Sequence, residues 1–249
     1  MLKIVADDLG LHKLINDGII LGLEKGFING ASLMPIGEEF DDAVIRTKNL
    51  NKAVLGIHFV LIDEKPLALK TLPQNHKTFF IKYILGLIKR ANIENELRAQ
   101  LNKCIKAGIK PAFINSHQHL HLLPGIMDIV IGLAKEHEIP YVRIINEPVP
   151  LGKRKIIRKV QLLFLNFLSK LAKNKIEKAG LLHNDYFIGF INAGDLTRKD
   201  VLKAEKIKHI NPDKIVELGC HPGFESAELI DKYGHWQYNW QKELEILRK

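Results

Sequence analysis

Apolar and polar positions along the chain alternate between two regimes, short apolar runs and longer stretches with apolar residues three and four apart. The first run, Leu2 to Ala6, ends in Asp7-Asp8-Leu9-Gly10 and reads as a buried strand entering a loop. Residues 12–25 place Leu14, Ile15, Ile19, Leu21 and Leu23 with helical periodicity, and Gly26 is a natural stop. A second strand is predicted over 31–34, a second helix over 40–47, and a third strand over 53–57 that delivers His58. This alternation with short connections predicts parallel strands joined by crossover helices. Further strands are predicted over 111–114 and onward into the histidines, and over 141–145, 186–189 and 214–218. Helices are predicted over 94–107, 124–137, 197–208 and 239–247. Two stretches break the rhythm: 61–92, with Pro66, Pro73 and an apolar helix from Phe79 to Arg90, and 153–179, with a broad apolar face between basic ends. The expectation is a single α/β domain over 1–249. Its form would be a TIM-like β/α barrel, seven-stranded and deformed, with inserted helices near 76–92 and 153–179.

Composition narrows the class. An apolar content of 46% supports a substantial core. Cys104 and Cys220 cannot form a disulfide framework, so a reducing compartment is expected. The N-terminus reaches Asp7 and Asp8 too soon for a signal peptide, and no apolar run nears the ~18 residues of a membrane span. The expected location is cytoplasmic, or peripheral at the inner face of a membrane. The net charge of +9 suggests an anionic partner such as nucleic acid, phosphate or acidic lipid, although a balance of this size is also common in proteins with no polyanionic partner. Residues 151–180 carry nine Lys and Arg against Glu177 alone, so this segment holds most of the excess. It reads either as a barrel helix with a solvated basic face or as an amphipathic lid contacting an anionic membrane through 153–179. No nucleic-acid motif and no aromatic platform is present, so nucleic acid is not an expected partner. A homodimer stays open as a further association.

Polar residues recur just after the predicted strands: Asp7 and Asp8, His58, His117, Arg143 and Glu147, His221. In a β/α barrel the C-terminal strand ends meet on one face, where active sites are built. His117, His119 and His121 stand at spacing i, i+2, i+4 and would share a face if the strand continues; the alternative is a histidine-rich loop. Two histidines and a carboxylate form a hydrolytic metal set, which Asp8, His58 and His117 supply. Consecutive side chains on a strand diverge, so one of Asp7 and Asp8 can bind metal while the other faces substrate. The plainer alternatives are a helix N-cap for the aspartates and a satisfied core histidine for His58.

Four ordered motifs then resemble a known family: Ala6-Asp7-Asp8-Leu9-Gly10, Gly56-Ile57-His58-Phe59-Val60-Leu61, Ser116-His117-Gln118-His119-Leu120-His121-Leu122-Leu123-Pro124 and Cys220-His221-Pro222-Gly223. They resemble the YdjC family of carbohydrate deacetylases, which includes chitooligosaccharide deacetylases and hopanoid-biosynthesis-associated members. The resemblance implies a β/α barrel and a metal-dependent hydrolase that removes N-acetyl groups from an amino sugar, either an oligosaccharide or a lipid-linked one. It implies Asp7 as catalytic base, Asp8, His58 and His117 as metal ligands, and a position near the reacting centre for His221, read here as the general acid. His119, His121, Arg143 and Glu147 are expected to contact substrate or orient the ligands. The resemblance implies one divalent ion, Mg²⁺, whereas the donor set itself suits Zn²⁺. The chain departs from the family at Asn115, where Asp is common, at Leu9, where Phe is common, and at Gln241, where Arg is frequent. Competing readings are a metal-dependent phosphoesterase on the same barrel, which would want a glycine-rich phosphate loop that is missing, and a non-catalytic carbohydrate- or lipid-binding barrel.

Overall fold

The computed structural model describes residues 2–48, 50, 53–152 and 155–249. The chain runs β1 (Leu2–Leu9), α1 (Lys13–Lys25), β2 (Gly30–Leu33), α2 (Phe40–Thr47), β3 (Val54–Phe59), α3 (His76–Ile84), α4 (Arg90–Lys106) and β4 (Ile114–Ser116). It continues through α5 (Ile126–Glu136), α6 (Ile156–Lys178), β5 (Tyr186–Ile188), α7 (Arg198–Ile210), β6 (Val216–Cys220), α8 (Ala227–Tyr233) and α9 (Trp240–Leu247). The six strands form one sheet in the order β4-β3-β2-β1-β6-β5, and every pairing is parallel. The predicted α/β alternation is therefore present. Strands β2 and β6 are buried along their whole length, as continuous apolar runs covered on both faces require. Helix α1 starts where the His12 ring accepts from the Leu14 amide and ends at Gly26, whose φ of 79° needs no Cβ to be accommodated.

The sheet is strongly curled. Strands β1 and β4 stand three places apart, which in a flat sheet is about 14 Å. Yet Asn115 on β4 donates a 2.9 Å hydrogen bond to Asp7 on β1. Val5, Phe113 and Tyr141 form a small apolar cluster inside the curl, separate from the main core. Gly56 leaves room for it: a Cβ there would stand 2.3 Å from the Phe113 ring.

Three expectations are corrected. The predicted strand over 141–145 is only two isolated parallel bridges, Ile114 with Val142 and Tyr141 with Leu182. Side chains replace the missing ladder. The Asn184 amide accepts from Ile144 N and donates to Ile144 O at 2.8 Å each, and Ser169 Oγ accepts from Ile145 N at 2.8 Å. Backbone groups satisfied in this way need no regular strand partner. The seven-stranded barrel is thus a six-stranded curled sheet whose edges are spanned by bridges. The histidine row is not on a strand either. Strand β4 stops at Ser116, and His117–Leu122 form a 3₁₀ turn in which Gln118 and His119 take φ values of 53° and 56°. The insert near 76–92 is α3 followed by a turn, with α4 starting at Arg90, and the insert over 153–179 is α6, its first two residues lying outside the described ones.

The long connection after β3 is anchored from α4. Glu96, fully buried, accepts from the amides of Leu67, Ala68 and Leu69, and Gln100 bridges Glu96 to both backbone groups of Val60. This connection carries Asp63, Gln74 and Asn75 to the wall of the main pocket. Replacing Glu96 by Ala removes the acceptor of three part-buried amides and the partner of Gln100. The expected cost is about 3 kcal/mol, read by urea unfolding, with faster amide exchange confined to residues 67–69.

Candidate active site

Strand β1 does not deliver its two aspartates to opposite faces. Its register with β2 shifts between Ala6 and Leu9, and Asp8 takes a φ of 66°. A bulge with a left-handed residue re-aims side chains and costs on the order of 1–3 kcal/mol of local strain in a non-glycine residue. The result is that Asp7 and Asp8, both buried, reach the same imidazole from two sides. Asp8 Oδ1 lies 3.3 Å from His58 Nε2, and Asp7 Oδ1 lies 3.9 Å from His58 Nδ1. The expected divergence is replaced by convergence, although the two carboxylates keep different neighbours.

Asp7 sits in a network of fixed donors. Oδ1 accepts from Ser32 Oγ at 2.7 Å and from Asn115 Nδ2 at 2.9 Å, and Oδ2 accepts from Arg143 Nη1 at 2.5 Å. Arg143 is fully buried and also donates to Glu217 Oε1 at 2.5 Å, while the Tyr141 hydroxyl donates to the other Glu217 oxygen. Burial alone would push the Asp7 carboxyl up, but the Arg143 and His58 charges hold it well below the usual carboxylate range. Asn115 links this network to His58. A carboxylate can only accept, so the Asn115 amide nitrogen faces Asp7 and its oxygen faces His58 Nδ1 at 2.7 Å. His58 therefore donates from Nδ1 to Asn115, which leaves Nε2 facing Asp8. An amide at this position keeps the ring oriented without placing a further negative charge beside Asp7.

Among the described residues, Asp8, His58 and His117 form a group whose donor atoms lie close enough to share a metal ion, all within 4.8 Å of one another. Asp8 Oδ1 is also 3.3 Å from His117 Nδ1. Asp8 Oδ2 and His117 Nε2 are buried without any hydrogen-bond partner. Burial opposes the charge on Asp8, but the two imidazoles outweigh it and depress its carboxyl. Converging lone pairs with unpartnered donor atoms in a buried site fit a bound cation.

A cavity of about 560 Å³ opens above these residues, and Asp7, His58, His117 and His221 are among its lining. His221, delivered by the end of β6, has its Nδ1 3.7 Å from Glu243 Oε2. Burial works against a charged His221 ring, but Glu243, then Asp8 and Asp7, raise it to about 9. His119 lines the same cavity beside Phe187 and Phe190, with its Nδ1 unpartnered, and burial keeps it neutral. His121, Arg143 and Glu147 are not among the lining residues. His121 is satisfied on both nitrogens, by Ser116 Oγ at 2.7 Å and Arg143 O at 2.8 Å, and burial together with the Arg143 charge pushes it down to about 3. Glu147 accepts from the Phe190 amide and holds the segment that walls the cavity, and burial pushes it up to about 7. Sequence reasoning missed Glu217 and Glu243. The signal for the first was a lone carboxylate inside the apolar run Val216-Glu217-Leu218; the second is one of several glutamates near the C-terminus and carries no such mark. Trp236, whose ring lies 4.7 Å from that of His117, and Tyr238, 4.6 Å from His221, were missed as well.

The model of the YdjC-like protein family matches residues 1–249. A carbohydrate deacetylase from Clostridium beijerinckii is 29% identical over 247 residues, covering 97% of this chain and 89% of that protein. A chitooligosaccharide deacetylase from Yersinia enterocolitica is 25% identical, covering 99% of this chain and 90% of that protein. A solved structure from Enterococcus faecalis V583, named for cellobiose-phosphate cleavage, has a TM-score of 0.74 at 20% identity over 100% of this chain and 90% of that one, a likeness of fold. The four motifs, the curled parallel sheet and the full-length match agree: the chain belongs to the YdjC-like protein family.

Proposed function

We propose that this chain is a metal-dependent deacetylase that hydrolyses the N-acetyl group of an amino sugar to acetate and a free amine. The observation that carries the reading is the buried convergence of Asp8, His58 and His117, with two unpartnered donor atoms, beside a cavity lined by His58, His117, Asp7 and His221. The names of the relatives support the substrate class. Trp236, Tyr238 and Phe190 offer aromatic faces suited to the apolar side of a sugar ring.

Asp8, His58 and His117 would hold the ion, which when bound supplies Lewis acidity to water and to the acetamide carbonyl. Asp7 takes the proton from the attacking water. Ser32, Asn115 and Arg143 fix its carboxylate and keep it ionised across the working range. Its low basicity suits a water already acidified, not a free one. Water adds to the carbonyl carbon, the carbon–nitrogen bond breaks, and the leaving nitrogen takes a proton from His221, since an amide nitrogen is not expelled as an anion. His119, neutral and unpartnered at Nδ1, is placed to hydrogen-bond the substrate.

Acetate release from a panel of N-acetylated amino sugars tests the reading. Activity should vanish with a chelator and return with a divalent ion, Zn²⁺ outcompeting the family-implied Mg²⁺ because two imidazoles suit a borderline ion. Phosphate release from sugar phosphates without acetate release would select the phosphoesterase reading instead, and tight sugar binding without turnover would select a binding barrel.

The ligand assignment predicts that His117→Ala lowers metal affinity on the order of 100-fold or more, measured by competition with a chromogenic chelator. His121→Ala should leave metal content intact and show its effect in unfolding. Asp7→Asn should retain metal and lose on the order of 100-fold or more in kcat; near-normal turnover would remove Asp7 from its role.

The His221 assignment predicts a pH limb. A raised pKa means the proton is present below about 9 and lost above it, so kcat should fall as pH rises through about 9. Glu243→Gln keeps an acceptor for only one of the Leu196 and His221 amides and removes the charge that raises His221. The limb should then move toward neutral pH, and a limb that stays in place would rule His221 out as the acid.

A further inference from the structure

We propose that the face formed by α3 and α6 docks on an anionic lipid bilayer. Helix α6 buries Leu162, Leu168, Ala172 and Ile176 against the domain, yet it carries a second apolar stripe that nothing covers. Ile157, Val160, Leu163, Phe164, Phe167 and Leu171 recur at spacings of three and four and are between 43% and 76% exposed. On α3 and the turn after it, Ile81, Ile84, Leu85 and Leu87 are between 58% and 68% exposed. The two stripes meet where Phe80 packs edge-on against Phe164. A contiguous apolar surface of this kind marks an interaction site.

Charge selects the occupant. No acidic residue lies between Lys65 and Ile93, a stretch with six Lys and Arg, and residues 151–180 hold nine against Glu177 alone. Together they carry fifteen of the thirty-seven basic residues and one of the twenty-eight acidic ones, leaving twenty-two basic and twenty-seven acidic residues elsewhere. The rest of the chain is therefore net acidic, and the whole positive excess belongs to the two segments that bear the apolar stripes. A second copy on this face would set each cation cluster against its own image in an isologous contact. An anionic headgroup layer instead takes the lysines while its acyl boundary takes the apolar side chains. Among the described residues no helix is long and apolar enough to cross a membrane, so the helices would lie in the interface. The N-terminal ends of both helices reach the catalytic cavity, with Asn75 and His76 on one side and Lys155 and Arg158 on the other. Docking would thus set the cavity mouth beside the headgroups, where an amino sugar borne on a lipid is presented. That last step rests on the deacetylase reading, while the docking itself does not.

Co-sedimentation of the full chain with phosphatidylcholine vesicles, with and without phosphatidylglycerol, at low and high salt, tests the proposal. Binding is expected only with phosphatidylglycerol and should weaken at high salt. Leu163→Glu combined with Phe167→Glu should lower the partition coefficient at least tenfold, and Lys82→Glu combined with Lys170→Glu should lower it on the anionic vesicles. Circular dichroism and turnover of a soluble N-acetylated sugar should stay unchanged in both variants. Absence of binding to anionic vesicles at low salt would overturn the proposal, as would a wild-type dimer by light scattering that Leu163→Glu and Phe167→Glu convert to monomer. Binding as expected without acetate release from any substrate would leave the docking surface standing and overturn the deacetylase reading.

Discussion

A guanidinium enclosed by the curled sheet is the constraint on which the site depends. Arg143 has no exposure to solvent and is held between Asp7 and Glu217. Two adjacent aspartates could not both stay ionised out of water without such compensation, since burial alone would neutralise them. Arg143 makes Asp7 a permanent carboxylate, and the paired imidazoles do the same for Asp8. Glu217 in turn balances the cation and takes the Tyr141 hydroxyl, so the charges beneath the cavity form one network from β6 to the bridge segment after β4. Removing any one member would leave its neighbour charged and unpaired, a larger loss than the pair itself contributes.

Local backbone strain serves the same end. Asp8, Gln118 and His119 are non-glycine residues with positive φ; Gln118 and His119 line the cavity, and Asp8 lies buried against His58 and His117, which line it. The turn at 118–119 sends the chain back so that the His121 amide and ring both meet Ser116 Oγ. His121 thereby locks the loop that presents His117, and its second nitrogen ties the loop to the Arg143 carbonyl. Preorganisation of the candidate ligand His117 is thus a property of side-chain to backbone bonds, with the third histidine acting as a clasp.

Much of the fold was legible in the sequence because its strands are uninterrupted apolar runs and its helices have clear stops, as at Gly26. The seventh strand was not, because Asn184 and Ser169 occupy ladder positions with side chains that no period-two pattern encodes. The residues that converge at the cavity were legible as polar singletons after strands: Asp7, Asp8, His58, His117 and His221. What could not be read was orientation. Period two placed Asp7 and Asp8 on opposite faces and the three histidines on one, and in both places a left-handed residue reversed the outcome. Asn115 shows the limit from the other side: it reads as a neutral departure from a common Asp, and only its contacts reveal that one amide serves a carboxylate and an imidazole at once.

The two segments that broke the alternation in the sequence are also the ones that depart from the chemistry of the rest. Their cations lie outside the neutralised interior, and Lys155 and Arg158 reach the cavity wall, where each donates to a backbone carbonyl of Ile191 or Phe190. The curled sheet needs neither segment to complete its strand order, since α4 packs on β3 and α5 packs on α4 and on the turn after β4. Apart from the buried face of α6 and the side chains of Leu61, Ile62, Leu72, Phe79, Phe80, Tyr83 and Ile88, which lie in or against the core, their sequence is free of its demands. Residues under no packing demand drift toward polar types on a soluble surface, because an exposed apolar side chain gains nothing from water. An uncovered apolar stripe on each of two such segments, joined at Phe80 and Phe164, is therefore better explained by something that covers it than by the needs of the fold.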